Sequence, residues 1–281
     1  MKNLIGLIGF GEAAFHIANG LKSEGLDDII AYDINQNHKD KGKFIRKRAE
    51  ESGVAISEDL SMMCNSSKFL ISLTSGKIAL EVAKDIIPKL DKGQVYVDMN
   101  SAAPMVKEDI GKISKKDGVL VCDGAIMNTV PGNGHKVQIF LSGDGAEKFY
   151  NNMINYGMNL KVLNNQLGAA SAIKMFRSVF MKGLPQLMFE AMHPAMKFGA
   201  LDALVESLNG TLHGKTIEQL SNSLLARTMV HSERRAKEMN DVVRTLESMG
   251  LNADMSKSSR DKLQRLTKKD YIKIIGPEGK M

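Results

Sequence analysis

A glycine-rich turn near the start of the chain constrains the fold more than any other feature of the sequence. The segment GLIGFGEAA, residues 6–14, follows a short apolar run and opens a helical pattern. It contains the spacing GxGxxA at Gly9, Gly11 and Ala14. Because the motif lies between a predicted strand and a predicted helix, it has the context that a dinucleotide-binding turn requires. A glycine turn with no ligand is the alternative.

Each small residue of this motif has a physical role. Gly9 permits a tight turn, Gly11 lets the backbone approach a pyrophosphate, and Ala14 keeps the helix close to the sheet. The helix N-terminus adds unpaired N–H groups and a favourable dipole for phosphates. The motif therefore predicts a nucleotide site at the start of the first helix.

Asp33 ends the second predicted strand, where a carboxylate can accept hydrogen bonds from an adenosine ribose. A carboxylate there favours NAD, because it would repel the 2′-phosphate of NADP. Lys39, Lys41 and Lys43 follow it and partly offset this repulsion, so NADP stays possible. We predict NAD as the cofactor.

Strand and helix patterns alternate through the first half of the chain, which favours βαβ units and a parallel sheet with helices on both faces. After the strand at 4–8 and the helix at 12–24, strands are predicted at 28–33, 54–56, 68–73, 94–98, 119–122, 137–141 and 160–163. Helices are predicted at 77–87, 104–115 and 144–154. We predict an α/β Rossmann-like domain over residues 1–164.

Only helical patterns follow residue 164, so we predict an all-α domain over residues 165–281. One helix or two are expected over residues 166–198, with a bend or break at Gly183 and Pro185. Another long helix is expected over residues 216–249. The last dozen residues, rich in Lys and Gly, are expected to be poorly ordered.

Composition narrows the classes of function. The 281 residues carry a formal charge of +6, but aromatic residues are only 5% and Trp is absent, which argues against nucleic-acid binding. No apolar run reaches the ~18 residues of a membrane span. Cys64 and Cys122 fit a reducing, cytoplasmic compartment. The histidines lack metal-ligand spacing, so no metal is predicted.

Two polar segments, residues 72–75 and 100–101, follow strands of the predicted sheet. They complete the candidate cofactor site, because ligands bind beyond the carboxyl ends of parallel strands. Ser101 is predicted to line the substrate side, to cap the next helix, or to do both. The predicted cofactor-binding residues are Gly9, Phe10, Gly11, Glu12, Ala13, Asp33, Ser72, Leu73, Thr74 and Asn100.

Lys174 lies at the start of the helical half, in the segment GAASAIKMFRS. Helical spacing places it on one face with Ser171, Arg177 or Ser178, and Lys182. A lysine there can exchange a proton with a substrate oxygen if burial and a cation such as Arg177 or Lys182 lower its pKa. A solvated surface lysine is the alternative.

The chain resembles the superfamily of 6-phosphogluconate and β-hydroxyacid dehydrogenases over most of its length. GLIGFGEAA is similar to the family's nucleotide loop, and VDMNSAAP to its nicotinamide-side segment. DGAIM stands at its substrate loop, and GAASAIKM at its catalytic-lysine helix. The resemblance implies hydride transfer, with Lys174 as the general acid/base. It also implies a homodimer, as do the long helices with apolar faces.

The chain departs from the family pattern around the substrate. Met127, Asn128 and Thr129 replace a serine and two glycines, and Arg177 and Ser178 stand where two asparagines are usual. KMFRSVFMKG and HSERRAKEM resemble a branch with a phosphogluconate dehydrogenase (NAD) C-terminal-like helical domain. The resemblance thus implies the chemistry more closely than the substrate.

A basic stripe in the last long helix is a further candidate for binding a small anionic substrate. Arg227, His231 and Arg235 share one face, with Arg234 alongside. A solvated face with a local Arg234–Glu238 pair is the alternative. The predicted substrate-binding residues are Ser101, Met127, Asn128, Arg177, Ser178, His231 and Arg234.

These patterns predict an NAD(P)-dependent oxidoreductase acting on a small hydroxy acid or sugar acid. Two other functions stay open. One is an imine reductase, because the nucleotide loop is also similar to that of pyrroline-carboxylate reductase. The other is a non-catalytic NAD-binding regulator, which the altered loop at Met127–Thr129 favours.

Overall fold

The computed structural model describes residues 3–265, and the predicted disorder of the last dozen residues lies outside that range. The chain divides into two compact units, Met1–Arg177 and Ser178–Met281. The sequence-derived boundary at residue 164 comes earlier along the chain and stays a prediction.

The first unit is built on an eight-stranded sheet, mostly parallel, which confirms the predicted Rossmann-like fold. The strand order is β3-β2-β1-β4-β5-β6-β7-β8. Among the described strands, the pair β6 and β7 is antiparallel and every other neighbouring pair is parallel. The strands are β1 Asn3–Ile8, β2 Ile29–Tyr32, β3 Ala55–Ile56, β4 Ser67–Ser72, β5 Val95–Asp98, β6 Leu120–Ile126, β7 Ile139–Ser142 and β8 Leu160–Val162.

Both faces of this sheet are buried, as the near-continuous apolar strands require. Side chains alternate between two cores: Phe69 of β4 packs in one, and its neighbour Leu70 packs in the other. Helices cover the sheet at α1 Glu12–Ser23, α2 Lys41–Ser52, α3 Leu60–Ser66, α4 Ala79–Ile86, α5 Pro104–Gly111 and α6 Ala146–Met153. Of these, α2 and α3 were not predicted from the sequence.

The rest of the described chain is helical, which confirms the predicted change from alternating strands and helices to helices alone. Its helices are α7 Ala169–Lys197, α8 Leu201–Leu212, α9 Ile217–Ser248 and α10 Asp254–Arg265. Of the two alternatives predicted for residues 166–198, the structure has one helix, because α7 continues without a break through Pro185 and Pro194.

Helix α9 begins with a capping box: Thr216 accepts from the backbone N–H of Gln219, whose side chain accepts from the N–H of Thr216. The regular helix is interrupted at His231, which has φ −125° and ψ 22°. None of the helices in residues 3–265 is long and apolar enough to span a membrane.

Candidate functional site

The candidate cofactor site lies where the strand order reverses, at the carboxyl ends of β1 and its neighbours β2 and β4. Gly9 follows β1, and its N–H donates to the carbonyl oxygen of Tyr32, at 2.8 Å. Its φ is +85°, and an added Cβ would lie 2.9 Å from the carbonyl oxygen of Leu73. Both the turn and the close approach of β4 therefore require glycine at position 9.

Gly11 is different, because neither its backbone nor its neighbours require glycine. It is the N-cap of α1, with an extended conformation at φ −76° and ψ −167°. A Cβ added there would meet no described atom within 4 Å. The open space lies in front of the N-terminus of α1, where backbone N–H groups bind phosphate. Glu12 and Ala13 form the first turn beside it.

Asp33 is held in place by backbone donors. Its Oδ2 accepts from the N–H of Phe10 at 2.9 Å, and its Oδ1 accepts from the N–H of Asn35 at 2.8 Å. The carboxylate faces a cavity of about 410 Å³ that Lys41 and Arg48 also line. Oδ1 also accepts a longer bond from Asn35 Nδ2 at 3.4 Å. Since a carboxylate offers about four lone pairs, acceptor capacity remains for one ribose hydroxyl, and for two where that long side-chain bond is displaced. Arg48 was not predicted, although it belongs to the basic run of α2.

These features fit a dinucleotide. An open approach to a helix N-terminus, a fixed carboxylate and an adjoining cavity are what a pyrophosphate and an adenosine ribose need. The two cations beside Asp33 add positive charge at the ribose end.

Asn100 joins the ends of β4 and β5. Its Oδ1 accepts from the N–H of Thr74 at 2.6 Å, and its Nδ2 donates to Ser72 Oγ at 2.8 Å. Ser72 and Asn100 are buried, whereas Leu73 is half-buried and Thr74 is exposed. The hydrogen bonds of Asn100 therefore fix the loop at Leu73 and Thr74 to the buried ends of the strands. Ser101 is exposed but does not cap α5, because Ala103 is the N-cap and no side-chain bond caps that helix.

A buried ion cluster lies at the carboxyl end of β5 and beside the middle of β6. Asp98 and Asp123 are paired in the parallel register, so their side chains point to the same face of the sheet. Lys107 of α5 bridges them, with its Nζ 3.1 Å from Asp98 Oδ1 and 3.2 Å from Asp123 Oδ1. All three side chains are 1% exposed or less. A buried charge requires such pairing, since desolvation penalises it strongly.

The start of α7 is bound to this cluster. The backbone N–H of Ser171 donates to Asp123 Oδ2 at 2.9 Å, and Ser171 Oγ donates to Asp123 Oδ1 at 2.7 Å. Lys174 follows three residues later, on the same face of the helix. The carboxylate of Asp123 therefore fixes the first turn of the helix that carries the predicted catalytic lysine.

The pKa of Lys174 is lowered, first by burial and then by the positive charge of Lys107, while Asp123 opposes the shift. The prediction that burial and a cation lower this pKa agrees with the structure, but the cation differs from those proposed. It is Lys107 of α5, rather than Arg177 or Lys182. A lowered pKa makes the neutral amine of Lys174 more accessible, which suits a group that exchanges a proton.

Asp98, Lys107 and Asp123 were missed as site residues by sequence reasoning. Two signals were present: each aspartate stands at the carboxyl end of a predicted strand or just beyond it, and each lies in a segment, VDMNSAAP or DGAIM, that resembles the family's site. Lys107 gave no signal, because a lysine in a helix is ordinarily exposed. Only the packing of α5 on the sheet identifies it.

The remaining predicted residues are not gathered into one place by the described contacts. Met127 is half-buried and Asn128 is exposed, just beyond β6, and Arg177 is exposed on α7. Ser178, His231 and Arg234 belong to the second unit, and their role stays a prediction.

The basic stripe is partly occupied by contacts within its own helix. Arg234 pairs with Glu238 one turn away, and Arg235 donates to Thr228 Oγ1 at 2.6 Å. The kink at His231 also interrupts the regular spacing of the stripe. Among residues 3–265, no three His, Cys, Asp or Glu side chains are placed to hold a metal ion.

Comparison with known families agrees with this geometry. Residues 4–153 match the NAD binding domain of 6-phosphogluconate dehydrogenase. Residues 195–266 match a domain of unknown function, DUF1932.

Three solved structures are similar over nearly the whole chain. A conserved hypothetical protein from Sinorhizobium meliloti is 32% identical, with a TM-score of 0.70 over 97% of this chain and 94% of that one. A conserved protein of unknown function, described as structurally similar to 3-hydroxyacid dehydrogenases, is 27% identical, with a TM-score of 0.66 over 92% and 96%. An imine reductase from Myxococcus stipitatus, solved with NAD⁺, shares the fold at 14% identity, with a TM-score of 0.73 over 100% and 96%.

Proposed function

The chain belongs to the family of the 6-phosphogluconate dehydrogenase NAD-binding domain, and from that premise we propose that it is an NAD-dependent oxidoreductase. The reaction is hydride transfer between nicotinamide and a small hydroxy acid or sugar acid, with Lys174 as the general acid/base. The observation that carries the proposal is the position of Lys174. It lies one turn beyond the anchor of α7 on Asp123 and has a lowered pKa.

The residues of the first unit have separate tasks in this reaction. The N-terminus of α1 binds the pyrophosphate across Gly11, and Asp33 accepts hydrogen bonds from the ribose. Asp33 would repel the 2′-phosphate of NADP, but Lys41 and Arg48 line the same cavity and would attract it. NADP is therefore the weaker alternative ligand. Ser72 and Asn100 hold the loop at Thr74 in place on the nicotinamide side.

Lys174 moves the proton. Bound NAD supplies the hydride acceptor for oxidation, and its reduced form supplies the donor in the reverse direction. In oxidation, the neutral amine of Lys174 accepts the proton of the substrate hydroxyl. In reduction, the ammonium group donates that proton to the carbonyl oxygen. Both directions need a lysine that changes protonation near neutral pH, which burial and Lys107 favour.

The test is NADH formation, followed by absorbance, across a panel of hydroxy acids and sugar acids, in the wild type and in Lys174→Ala. Wild-type turnover that falls at least ~100-fold in the variant, with NAD affinity kept, supports the proposal. The matched control is Lys161→Ala, an exposed lysine on β8, which should leave turnover unchanged. Reduction of a cyclic imine that survives Lys174→Ala would instead identify an imine reductase. NAD binding without turnover on any substrate would identify a regulator.

We propose a small anionic substrate, because Arg177 leaves an exposed cation on the helix that carries Lys174. Ser101, Met127 and Asn128, beyond the ends of β5 and β6, are the other first-unit candidates for its contacts. Two free, buried cysteines, Cys64 and Cys122, support a reducing compartment such as the cytoplasm.

We also propose that the protein acts as a homodimer. Helix α7 carries exposed apolar side chains, among them Val179 at 71% and Phe189 at 72% exposure. Phe189 and Met188 also line an apolar groove of about 530 Å³ in the second unit. Contiguous apolar surface of this kind marks an association site more often than a solvated face. Light scattering that gives a monomer's mass at micromolar concentration would contradict the proposal.

A further inference from the structure

We propose that Lys107 is a positioning residue for Lys174. Its buried ammonium group holds Asp123, the carboxylate to which the first turn of α7 is bound, and sets a positive charge beside the lysine one turn further on. The role rests on the proposed function, since it matters to catalysis only if Lys174 carries the proton.

The first step of the argument is that the two aspartates need a cation. Asp98 and Asp123 are opposite each other in the register of β5 and β6. Two buried carboxylates on one face repel each other, and one of them would become protonated without a neighbouring positive charge. Lys107 supplies that charge, and its Nζ also donates to the carbonyl oxygen of Asp98 at 3.0 Å. Asp98 Oδ1 also accepts from the backbone N–H of Asn100 at 2.8 Å, whereas Oδ2 is buried with no hydrogen-bond partner among the described residues, so Lys107 is the cation that balances this carboxylate.

The second step is that the cluster is part of the support of α7. Asp123 accepts both the N–H and the O–H of Ser171, and Ser142 Oγ accepts the N–H of Ala170. At the same end of the helix, a Cβ on Gly168 would lie 2.9 Å from the carbonyl oxygen of Pro104, the first residue of α5. The starts of α5 and α7 are therefore in backbone contact, which brings Lys107 close to the helix it supports.

The third step concerns charge at Lys174. The charged groups that act on it from other elements are Lys107 of α5 and Asp123 of β6, and Arg177 lies on its own helix. Burial and Lys107 both favour the neutral amine, whereas Asp123 favours the ammonium form. Removing Lys107 deletes the repulsion, while burial continues to favour the neutral amine and an ionised Asp123 continues to favour the ammonium form. The loss of the repulsion makes Lys174 hold its proton more tightly.

The experiment measures the reactivity of Lys174 directly, without turnover. The wild type and Lys107→Met are labelled competitively with acetic anhydride over a pH series, and modification of the peptide that carries Lys174 is quantified by mass spectrometry. We expect the midpoint of labelling to rise by about one pH unit in Lys107→Met. Below the midpoint, that shift corresponds to labelling about 10-fold slower than in the wild type. The matched control is Lys112→Met, an exposed lysine at the end of the same helix, which should leave the midpoint unchanged.

A double variant tests the same inference if Lys107→Met alone fails to fold. Lys107→Met leaves two buried carboxylates with too little positive charge, so Lys107→Met combined with Asp98→Asn removes one of them. The midpoint should rise in this double variant as well, and Lys107→Arg should restore it towards the wild-type value. Circular dichroism establishes that each variant is folded before it is labelled.

The outcomes separate this inference from the proposed function. An unchanged midpoint in the folded double variant, in which Asp123 has no neighbouring carboxylate to repel it, overturns the inference, whatever happens to turnover. A raised midpoint supports it, and in an active enzyme the acid limb of kcat/KM for oxidation should move to higher pH by the same amount. A raised midpoint in a protein that oxidises no substrate supports the coupling but refutes the proposed function.

Discussion

Replacing Asp33 by Asn tests the cofactor site with little change of shape. In the wild type, each carboxylate oxygen already accepts one backbone N–H, from Phe10 and from Asn35, at 2.9 and 2.8 Å. Asn keeps one acceptor oxygen, which one of those two donors will occupy. The amide therefore offers an NH₂ group where the carboxylate offered charged acceptors to the ribose hydroxyls.

The expected magnitude follows from this count. A hydrogen bond to a charged group contributes about 1.5–3 kcal/mol, and the ribose loses up to two of them. Because the NH₂ group can still donate to the hydroxyl oxygens, we expect a net loss of about 2 kcal/mol. That loss corresponds to a Kd for NAD raised about 30-fold. NADP should lose less, since Lys41 and Arg48 remain in the cavity and the repelling carboxylate is gone.

Isothermal titration calorimetry is the suitable assay, because the protein has no Trp to report cofactor binding by fluorescence. The control is Asp117→Asn, which removes the same charge from an exposed loop before β6 and should leave the Kd unchanged. A Kd for NAD in Asp33→Asn within threefold of the wild type, in a protein of unchanged Tm, would refute the proposed ribose contact.

Further variants probe the phosphate approach, packing and buried charge. Gly11→Val should abolish NAD binding by calorimetry at nearly unchanged Tm, since a Cβ there meets nothing in the protein; a large fall in Tm would contradict this. Gly20→Ala should lower the free energy of unfolding in urea by about 1–3 kcal/mol, because its Cβ would lie 2.0 Å from His135 Nδ1; an unchanged value would show that the ring moves freely. Lys107→Met should lower it by about 3–5 kcal/mol, and Asp98→Asn in the same chain should restore part of that loss; equal instability of the two would contradict the pairing. Burial lowers the pKa of His135 in the folded state despite the opposing effect of Glu24. Below the ordinary pKa of about 6.5 the unfolded state binds the proton first, so the free energy of unfolding should fall from pH 6.5 to 5. The fall should be absent in His135→Gln, and a fall of equal size there would assign it to other groups.

Most of the first unit could be predicted because its signals are local. The turn at Gly9 and Gly11 is defined by spacing within six residues, and the strands β1, β4 and β5 are continuous apolar runs. Helix α2 was missed because it is rich in charged residues and buries only a narrow face. A bend or a break was predicted at Gly183 and Pro185, and the helix does not break there, since Pro removes one hydrogen bond of α7 and the rest of that long helix is maintained.

Some residues of the candidate site were likewise predicted from the sequence, and others were found only in the tertiary structure. The nucleotide turn and the carboxylate of Asp33 were predicted from the sequence because each depends on neighbours within a turn or a strand, whereas Lys174 was predicted as catalytic from the resemblance of its segment to the family's lysine helix. Only the tertiary structure placed Asp98 opposite Asp123 and Lys107 between them. Strand register and helix packing join residues far apart in the chain, and the charge around the half-buried amine of Lys174 depends on those distant groups. The protonation of Lys174 is therefore a property of the fold, although the residue itself is visible in the sequence.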